Sequence, residues 1–197
     1  MTKIYCFLVL GLLVCAGCVE TKAPIYYSST FSLAQAERMM RPGRNTIIVN
    51  CFTRNPNDDS ISTCAGVVAE IIPATERAAE FSKVIFGSAT GGKRTVDEVR
   101  ETLKRIANAD ANFGNLRADA TCDSNGFAVF NKVADGEFYV LAGAGGMSYA
   151  GKISVSGGET KQIVLSGSSP TYDKGFNYDH WYKYERRREW ESRKHKK

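Results

Sequence analysis

Short runs of apolar and β-branched residues recur along residues 45–166, and turn residues such as glycine, proline and aspartate bound them. Runs of this length and composition are typical of β-strands, because branched side chains pack well on a pleated surface. We predict strands at residues 46–53, 65–72, 120–133, 137–142, 149–155 and 160–165. In the last two, Ile153 and Val155 share one face, as do Ile163 and Leu165, so one face lies on a core.

The turns between these runs indicate how the strands pair. Ala134-Asp135-Gly136 separates the third run from the fourth, and Ser156-Gly157-Gly158-Glu159 separates the last two. Asp-Gly and Gly-Gly turns are typical of antiparallel hairpins. The pattern therefore predicts a mainly β domain at residues 45–166, an Ig-like or transthyretin-like antiparallel β-sandwich.

A helical period interrupts the strands at residues 95–109. Thr95 and Glu98 are spaced for a capping box, and the apolar residues that follow form one stripe, Val96, Val99, Leu103 and Ile106. We predict one inserted α-helix there, lying across a sheet, after a flexible loop at residues 87–93.

The first 17 residues have the layout of a secretory signal peptide. Lys3 precedes an uncharged apolar run at residues 4–14, which small residues follow. The run is shorter than the roughly 20 residues that a transmembrane helix needs. We therefore predict a signal peptide at residues 1–17 and export of the chain.

The end of that segment, Cys15-Ala16-Gly17-Cys18, resembles the bacterial lipobox, although Cys15 stands where leucine is usual. The resemblance implies cleavage before Cys18, a diacylglycerol on its sulfur and an acyl chain such as palmitate on its amine. Val19 follows, and in Gram-negative lipoproteins a residue other than Asp there implies an outer-membrane lipoprotein facing the periplasm or the cell surface. The alternative is an ordinary signal peptide that Cys18 happens to follow.

Residues 18–44 start with a polar stretch, which predicts a tether that stands the body off the membrane. A short N-terminal helix is expected at about residues 31–41. Ser32 and Gln35 fit a capping box, and Pro42-Gly43 ends the helix.

The predicted export places the cysteines in an oxidising compartment, where paired cysteines form disulfides. Cys6 and Cys15 leave with the signal peptide, and Cys18 carries lipid. The remaining residues, Cys51, Cys64 and Cys122, allow one bridge and one free thiol.

The segment GFAVFNKVADGEFYV at residues 126–140 resembles the strand-turn-strand signature of carboxypeptidase regulatory-like, or transthyretin-like, domains. The matching positions are Asp123, Gly126, Phe130, Gly136, Phe138 and Val140, while Ala128 replaces an expected aromatic. Over residues 43–165 the chain is also similar to bacterial exported proteins with this domain, through GRNTI at 43–47, TCAG at 63–66, IIPAT at 71–75 and TCD at 121–123. The resemblance implies an accessory module without an assigned activity.

Cys64 and Cys122 both lie in the shared segments, which implies that they bridge. Cys51 lies on the same side of its strand as Ile47 and Val49, which suggests a buried thiol. The rival pairing joins Cys51 to Cys64 across neighbouring strands, and the sequence leaves it open.

Candidate catalytic chemistry is sparse. Both histidines, His180 and His195, lie near the C-terminus, and the chain contains no G-x-S-x-G motif. Asp123-Ser124-Asn125-Gly126 has the opening pattern of a calcium loop, but Ala134 occupies the position of the distal acid, so we predict a turn. Residues 57–60 predict a solvated loop. We expect no enzyme, no cofactor, and no catalytic or metal site.

Residues 167–197 form a basic aromatic tail. Residues 172–197 hold nine Lys or Arg and five Asp or Glu, a net charge of +4 out of +5 for the chain. The candidate binding residues are Trp181, Tyr184, Arg186, Arg187, Arg188 and Trp190. Such residues suit a protein partner, anionic lipid headgroups or peptidoglycan, and export argues against nucleic acid. A solvated terminus without a partner is the alternative.

These patterns together predict a non-catalytic cell-envelope lipoprotein that attaches to the membrane through its lipid anchor. Its role would be that of a structural or protein-interaction module, such as a subunit of a larger envelope assembly. The alternative is a carbohydrate- or peptidoglycan-binding module that uses exposed aromatic residues on the sandwich.

Mass spectrometry of the protein from its native host tests the anchor. We expect a mature N-terminus at Cys18 that carries the mass of a diacylglycerol and an acyl chain. An unprocessed, unmodified N-terminus in a cytoplasmic fraction would contradict the interpretation.

Overall fold

The structure, a computed structural model, describes residues 22–168. The strands in this range are β1 (Asn45–Arg54), β2 (Ile61–Thr63), β3 (Val68–Pro73), β4 (Gly91–Thr95), β5 (Ala118–Thr121), β6 (Phe127–Val133), β7 (Gly136–Ala144), β8 (Met147–Val155) and β9 (Thr160–Ser168). The helices are α1 (Leu33–Met39), α2 (Glu76–Phe86), α3 (Val96–Lys104) and α4 (Ala111–Asn115).

The strands form two sheets that pack face to face. In the four-stranded sheet, β1 lies between β9 on one side and β6 and β2 on the other. The five-stranded sheet has the order β4-β8-β7-β3-β5. All pairs are antiparallel except β9 with β1, which is parallel. The predicted mainly β sandwich is confirmed.

The core lies between the two sheets. From β1, Ile47, Val49 and Cys51 are fully buried, and Phe138 and Val140 of β7 meet them from the other sheet. The expected burial of Cys51 beside Ile47 and Val49 is therefore confirmed. The predicted inward set Ile153, Val155 and Leu165 is buried in the same cluster, with Ile163 packed against it.

The predicted strand at residues 120–133 is wrong, because the chain forms two strands there, β5 and β6, which lie in different sheets. The predicted hairpins also have the wrong partners. β6 and β7 lie in different sheets, and so do β8 and β9, so both turns are corners that carry the chain across the sandwich. The tight hairpin is β7–β8, which turns at Gly145 and Gly146, both with positive φ. A short turn permits either a hairpin or a corner, and its composition does not decide between them.

The side chain of Asn45 holds both corners against the start of β1. Its Nδ2 donates to Val133 O at 3.0 Å and to Asp135 Oδ1 at 2.8 Å. Its Oδ1 accepts from Gly158 N at 2.8 Å and Glu159 N at 3.0 Å. Asn45 is fully buried, and all four bonds compensate its desolvation. The amide thus places the start of β9 beside β1.

The insertion between β3 and β5 holds more structure than the single helix expected. α3 has the predicted capping box between Thr95 and Glu98, but it ends at Lys104 rather than at residue 109. The chain leaves the helix there because Ile106 forms a β-bridge with Ile25. The predicted loop at residues 87–93 runs into β4, which pairs with β8.

α2 was missed by the sequence analysis although its end signals are present. Thr75 caps its N-terminus by accepting from Ala78 N, and Gly87 ends it with φ of 85°. The predicted short N-terminal helix is confirmed as α1, with Ser32 as its N-cap.

The helices of the insertion cover only one side of the sandwich. Ala78 of α2 packs against Tyr139, and Ile85 packs in a cluster with Ala150, on the outer face of the five-stranded sheet. The result is three layers, in the order helices, five-stranded sheet and four-stranded sheet. The outer face of the four-stranded sheet is left at the opposite side.

Cys64 and Cys122 form a disulfide, with Cα atoms 5.8 Å apart. The bridge joins the end of β2 in one sheet to the end of β5 in the other. Cys51 is a free, buried cysteine. The predicted pairing is confirmed, and the rival pairing of Cys51 with Cys64 is wrong.

Replacing both bridge residues, in Cys64→Ala with Cys122→Ala, should lower the free energy of unfolding by about 4 kcal/mol, because the bridge closes a long loop of the unfolded chain. Urea unfolding measures the loss. As a control, Cys51→Ala leaves the bridge intact and should cost about 1 kcal/mol.

Alkylation gives an independent check. Burial raises the pKa of the Cys51 thiol to about 12, so Cys51 should react only after unfolding. Labelling of Cys64 or Cys122 without reductant would contradict the assignment.

Candidate functional site

The outer face of the four-stranded sheet carries a patch of apolar side chains. The register of β1 places Ile48 beside Val129 of β6, and places Asn50 between Phe127 of β6 and Val164 of β9. Val129 is 47% exposed and Val164 is 54% exposed. We call the apolar members of this face on β1, β6 and β9 the outer patch, and they are Ile48, Phe52, Phe127, Val129 and Val164.

No helix within residues 22–168 covers the outer patch, because α2, α3 and α4 pack on the other sheet and Met39 of α1 packs against the core between the sheets. Asn50 lies within the patch, and Gln162 borders it next to Ile48. Exposed apolar side chains that form a contiguous patch with a polar rim are typical of interaction surfaces. The outer patch is therefore the candidate docking surface.

The edge of the same sheet is also open in the described part of the chain. β9 pairs along its whole length with β1 and with no second strand among residues 22–168. An open edge presents unpaired backbone groups to which another strand can add. Lys161 stands on this edge, and a lysine there opposes indiscriminate strand addition.

The residues before α1 form a second functional feature, which we call the N-terminal strap, residues 22–30. Ile25 N donates to Arg105 O at 2.8 Å, and Ala107 N donates to Ile25 O at 2.9 Å. Tyr27 and Asn108 exchange two further hydrogen bonds of 2.8 and 3.0 Å. The expectation that this stretch is a tether standing the body off the membrane is wrong for residues 22–30, since they are bound to the body.

Glu80 of α2 fixes the middle of the strap. Its carboxylate accepts from Ser28 N at 2.7 Å, Ser28 Oγ at 2.8 Å, Ser29 N at 2.9 Å and Ser29 Oγ at 2.5 Å. These bonds, led by that from the Ser28 backbone, lower the pKa of Glu80 to about 2.

Tyr27 anchors the strap by burial. The guanidinium of Arg77 stacks on the Tyr27 ring, with Cζ 4.6 Å from the ring centroid, and both side chains are buried. Desolvation raises the pKa of the Tyr27 hydroxyl to about 12. Sequence analysis missed this pair because the two residues lie 50 positions apart, and neither belongs to a recognisable motif.

The carboxylates that the sequence analysis considered as candidate cation ligands accept hydrogen bonds from the backbone. Asp123 accepts from Asn125 N and Phe127 N, both at 2.9 Å, and so closes the turn between β5 and β6. The predicted turn is confirmed. Asp58 closes the exposed loop after β1 by accepting from Ser60 N at 3.0 Å. In the described range, no group of three or more His, Cys, Asp or Glu could hold a metal ion.

A small cavity lies between α1 and the sandwich. Its volume is about 60 Å³, and Met39, Phe130 and Phe138 are among its lining residues. Ligand pockets typically measure about 300–1,000 Å³, so this cavity does not suit a sugar.

The predicted lipidation residue, Cys18, lies outside the described residues, and so does the signal peptide. The six tail residues Trp181, Tyr184, Arg186, Arg187, Arg188 and Trp190 also lie outside them, so their roles remain predictions. The first two residues of the predicted tail, Gly167 and Ser168, belong to β9, a strand of the sheet that carries the outer patch. Among residues 22–168, no helix is long and apolar enough to cross a membrane.

The sequence matches no protein-family model and no curated protein. Among solved structures, the chain is similar to a Pseudomonas aeruginosa protein proposed to bind carbohydrate, with 15% identity and a TM-score of 0.50, over 71% of this chain and 99% of that one. It is also similar to the minor pilin of Streptococcus agalactiae, with 16% identity and a TM-score of 0.31, over 62% of this chain and about half (49%) of that one. The first likeness shows a shared β-rich fold, and the second carries no argument.

The amide resonances of Ser28 and Ser29 should report the titration of Glu80. Because its folded pKa is depressed, the carboxylate stabilises the strap above the usual value of 4.5, and this stabilisation is lost as the pH falls toward 2. We expect both amide shifts to titrate with a midpoint near 2. Glu80→Gln should abolish the titration, and a midpoint near 4.5 would show that the strap is not held by this carboxylate.

Proposed function

We propose that the protein is a non-catalytic lipoprotein of the cell envelope whose sandwich docks onto a protein partner through the outer patch. The observation that carries the proposal is the exposure of the outer patch on a sheet face that the helices leave uncovered. The resemblance to carboxypeptidase regulatory-like domains, which are accessory modules, supports the same role.

The chemistry of the outer patch suits a protein surface. Val129 and Val164 are about half exposed, and partners bury aliphatic and phenylalanine side chains of this kind at the centre of an interface. Asn50 and Gln162 can supply hydrogen bonds around them. An uncovered sheet face without a described pocket fits another protein better than it fits a small ligand, which requires a concave site.

The envelope location rests on the N-terminal sequence and on the disulfide. A signal peptide at residues 1–17 and lipidation at Cys18 would carry the chain out of the cytoplasm and anchor it, to an outer membrane in a Gram-negative host. The Cys64–Cys122 bridge supports export, because disulfides form and persist in oxidising compartments.

The basic aromatic tail would extend the docking surface. It follows β9 directly, so it starts from the sheet that carries the outer patch. Its Trp181, Tyr184 and Trp190, with Arg186 to Arg188 between them, belong to the residue types that dominate protein interfaces. Anionic lipid headgroups and peptidoglycan are the other ligands that this composition suits.

A carbohydrate- or peptidoglycan-binding module is the second candidate. The fold that the chain shares with the Pseudomonas aeruginosa protein, itself proposed to bind carbohydrate, favours it. The outer patch argues for a protein partner, because its aromatic members are phenylalanines, which lack the polar group that tyrosine and tryptophan offer to a sugar.

Charge substitution on the outer patch tests the proposal. In intact cells, crosslinking followed by pull-down should recover the partner with the native lipoprotein. Val129→Lys with Val164→Lys should reduce recovery by at least about tenfold, because an unpaired charge is costly in an apolar interface.

Leu33→Lys is the matched control, since it places the same charge at an exposed apolar position, 40% exposed, on α1. It should leave recovery unchanged. Equal recovery from the double variant would refute docking through the outer patch. Co-sedimentation with peptidoglycan tests the second candidate. If both variants still co-sediment, and if deletion of residues 172–197 does not abolish co-sedimentation, a carbohydrate- or peptidoglycan-binding module is favoured.

A further inference from the structure

The covalent distance between the predicted anchor and the strap is short. Five residue steps separate Cys18 from Ala23, and an extended chain spans at most about 3.6 Å per residue, so these residues lie within about 18 Å of each other. Ala23 is held on the body, since its carbonyl accepts from Arg105 Nε at 3.1 Å. This bound holds for any conformation of the residues between them.

The strap binds at the C-terminal end of α3. Arg105 is the C-cap residue of that helix, and its carbonyl accepts from Ile25 N. If Cys18 is acylated, the end of α3 is therefore held next to the bilayer. A sandwich on a long tether could tumble freely, but one tied at residue 23 cannot.

We propose that the surface formed by the strap and the last turn of α3 rests on the lipid headgroups, and that the outer patch consequently faces away from the membrane. This inference rests on the lipoprotein proposal for Cys18. We call the surface the anchor face, and its exposed basic and large apolar members are Lys22, Tyr26, Leu103 and Lys104.

The side chains of the anchor face suit the boundary between headgroups and acyl chains. Tyr26 is 66% exposed although both its neighbours, Ile25 and Tyr27, are bound to the body, and Leu103 is 40% exposed on α3. A tyrosine and a leucine at this level bury apolar area in the interface, while lysines extend their amines to the phosphates.

Asp97 and Glu101 of α3 do not prevent this contact, because each has a cation as partner, and Glu98 lies in the first turn, away from the anchor face. Glu101 pairs with Lys104 at 2.6 Å, and the hydrogen bond from Lys104, with a smaller contribution from Lys22, lowers the pKa of Glu101. Asp97 pairs with Arg100 at 2.5 Å. A membrane surface with anionic lipids would thus meet paired carboxylates rather than a bare negative patch.

Because of the order of the three layers, contact between the anchor face and the membrane also determines the direction in which the outer patch points. The helices lie on the outer face of the five-stranded sheet, and the outer patch lies on the far side of the four-stranded sheet. With the helices toward the bilayer, the outer patch points into the compartment, where a protein partner can reach it.

Depth measurements on the full-length acylated protein test the orientation. Single cysteines introduced as Tyr26→Cys, Leu103→Cys and Val164→Cys would each carry an environment-sensitive fluorophore. Native labelling is selective, because Cys51 is buried and Cys64 is bonded to Cys122. The vesicles would contain phosphatidylethanolamine and phosphatidylglycerol at 3:1 with a headgroup-labelled quencher, a composition chosen as about that of an anionic bacterial surface.

We expect quenching at positions 26 and 103 to exceed that at position 164 by about threefold or more. Equal quenching at the three positions in a vesicle-bound, acylated protein would overturn the orientation and leave the lipoprotein proposal intact. Protein that lacks the diacylglycerol mass and does not bind vesicles would overturn both.

A linker insertion tests whether the short connection between Cys18 and the strap sets the orientation. Twenty Gly and Ser residues inserted between Thr21 and Lys22 add an average reach of about 25 Å without touching the strap. The protein should stay on the vesicles, while quenching at positions 26 and 103 falls to the level at position 164. Unchanged quenching would show that the short connection does not set the orientation.

Discussion

The alternation of side chains along β1 is the constraint on which the rest of the structure depends. β1 pairs with β2, β6 and β9, so it joins every strand of its sheet. Its odd-numbered residues Ile47, Val49 and Cys51 are fully buried in the core, and the period of two then forces Ile48 and Phe52 to the outside. A slip of one residue would exchange the core residues for those of the outer patch, so burial of one face fixes the other.

The helices cover the outer face of one sheet and leave that of the other uncovered, and the proposed function is based on this difference. α2 and α3 protect the outer face of the five-stranded sheet and also provide the binding site for the strap, through Glu80 and Arg105. The outer face of the four-stranded sheet has no such cover among the described residues. The strap and the outer patch therefore lie on opposite sides of a three-layer body, which is the arrangement that the proposed docking module needs.

The polar groups of the body serve mainly to hold chain segments in place. Glu80 binds the strap, Asp123 closes a turn, and Asn45 with Asp135 joins two corners to the start of β1. A carboxylate engaged by backbone N–H groups keeps a low pKa, as Glu80 does, and is a poor general base near neutral pH. Glu80, Asp123 and Asp135 therefore act as structural hydrogen-bond acceptors.

The sequence by itself determined several local features of this protein, namely most of the long strands, the capped start of α3, and the shared inward face of Ile163 and Leu165. These depend on the period of apolar residues and on capping side chains, which act over a few residues. Only the tertiary structure decided that β9 pairs with β1 rather than with β8, that the strap binds Glu80, and that no described helix covers the outer patch. Those outcomes depend on contacts between residues 50 to 115 positions apart, whose energies no local pattern encodes.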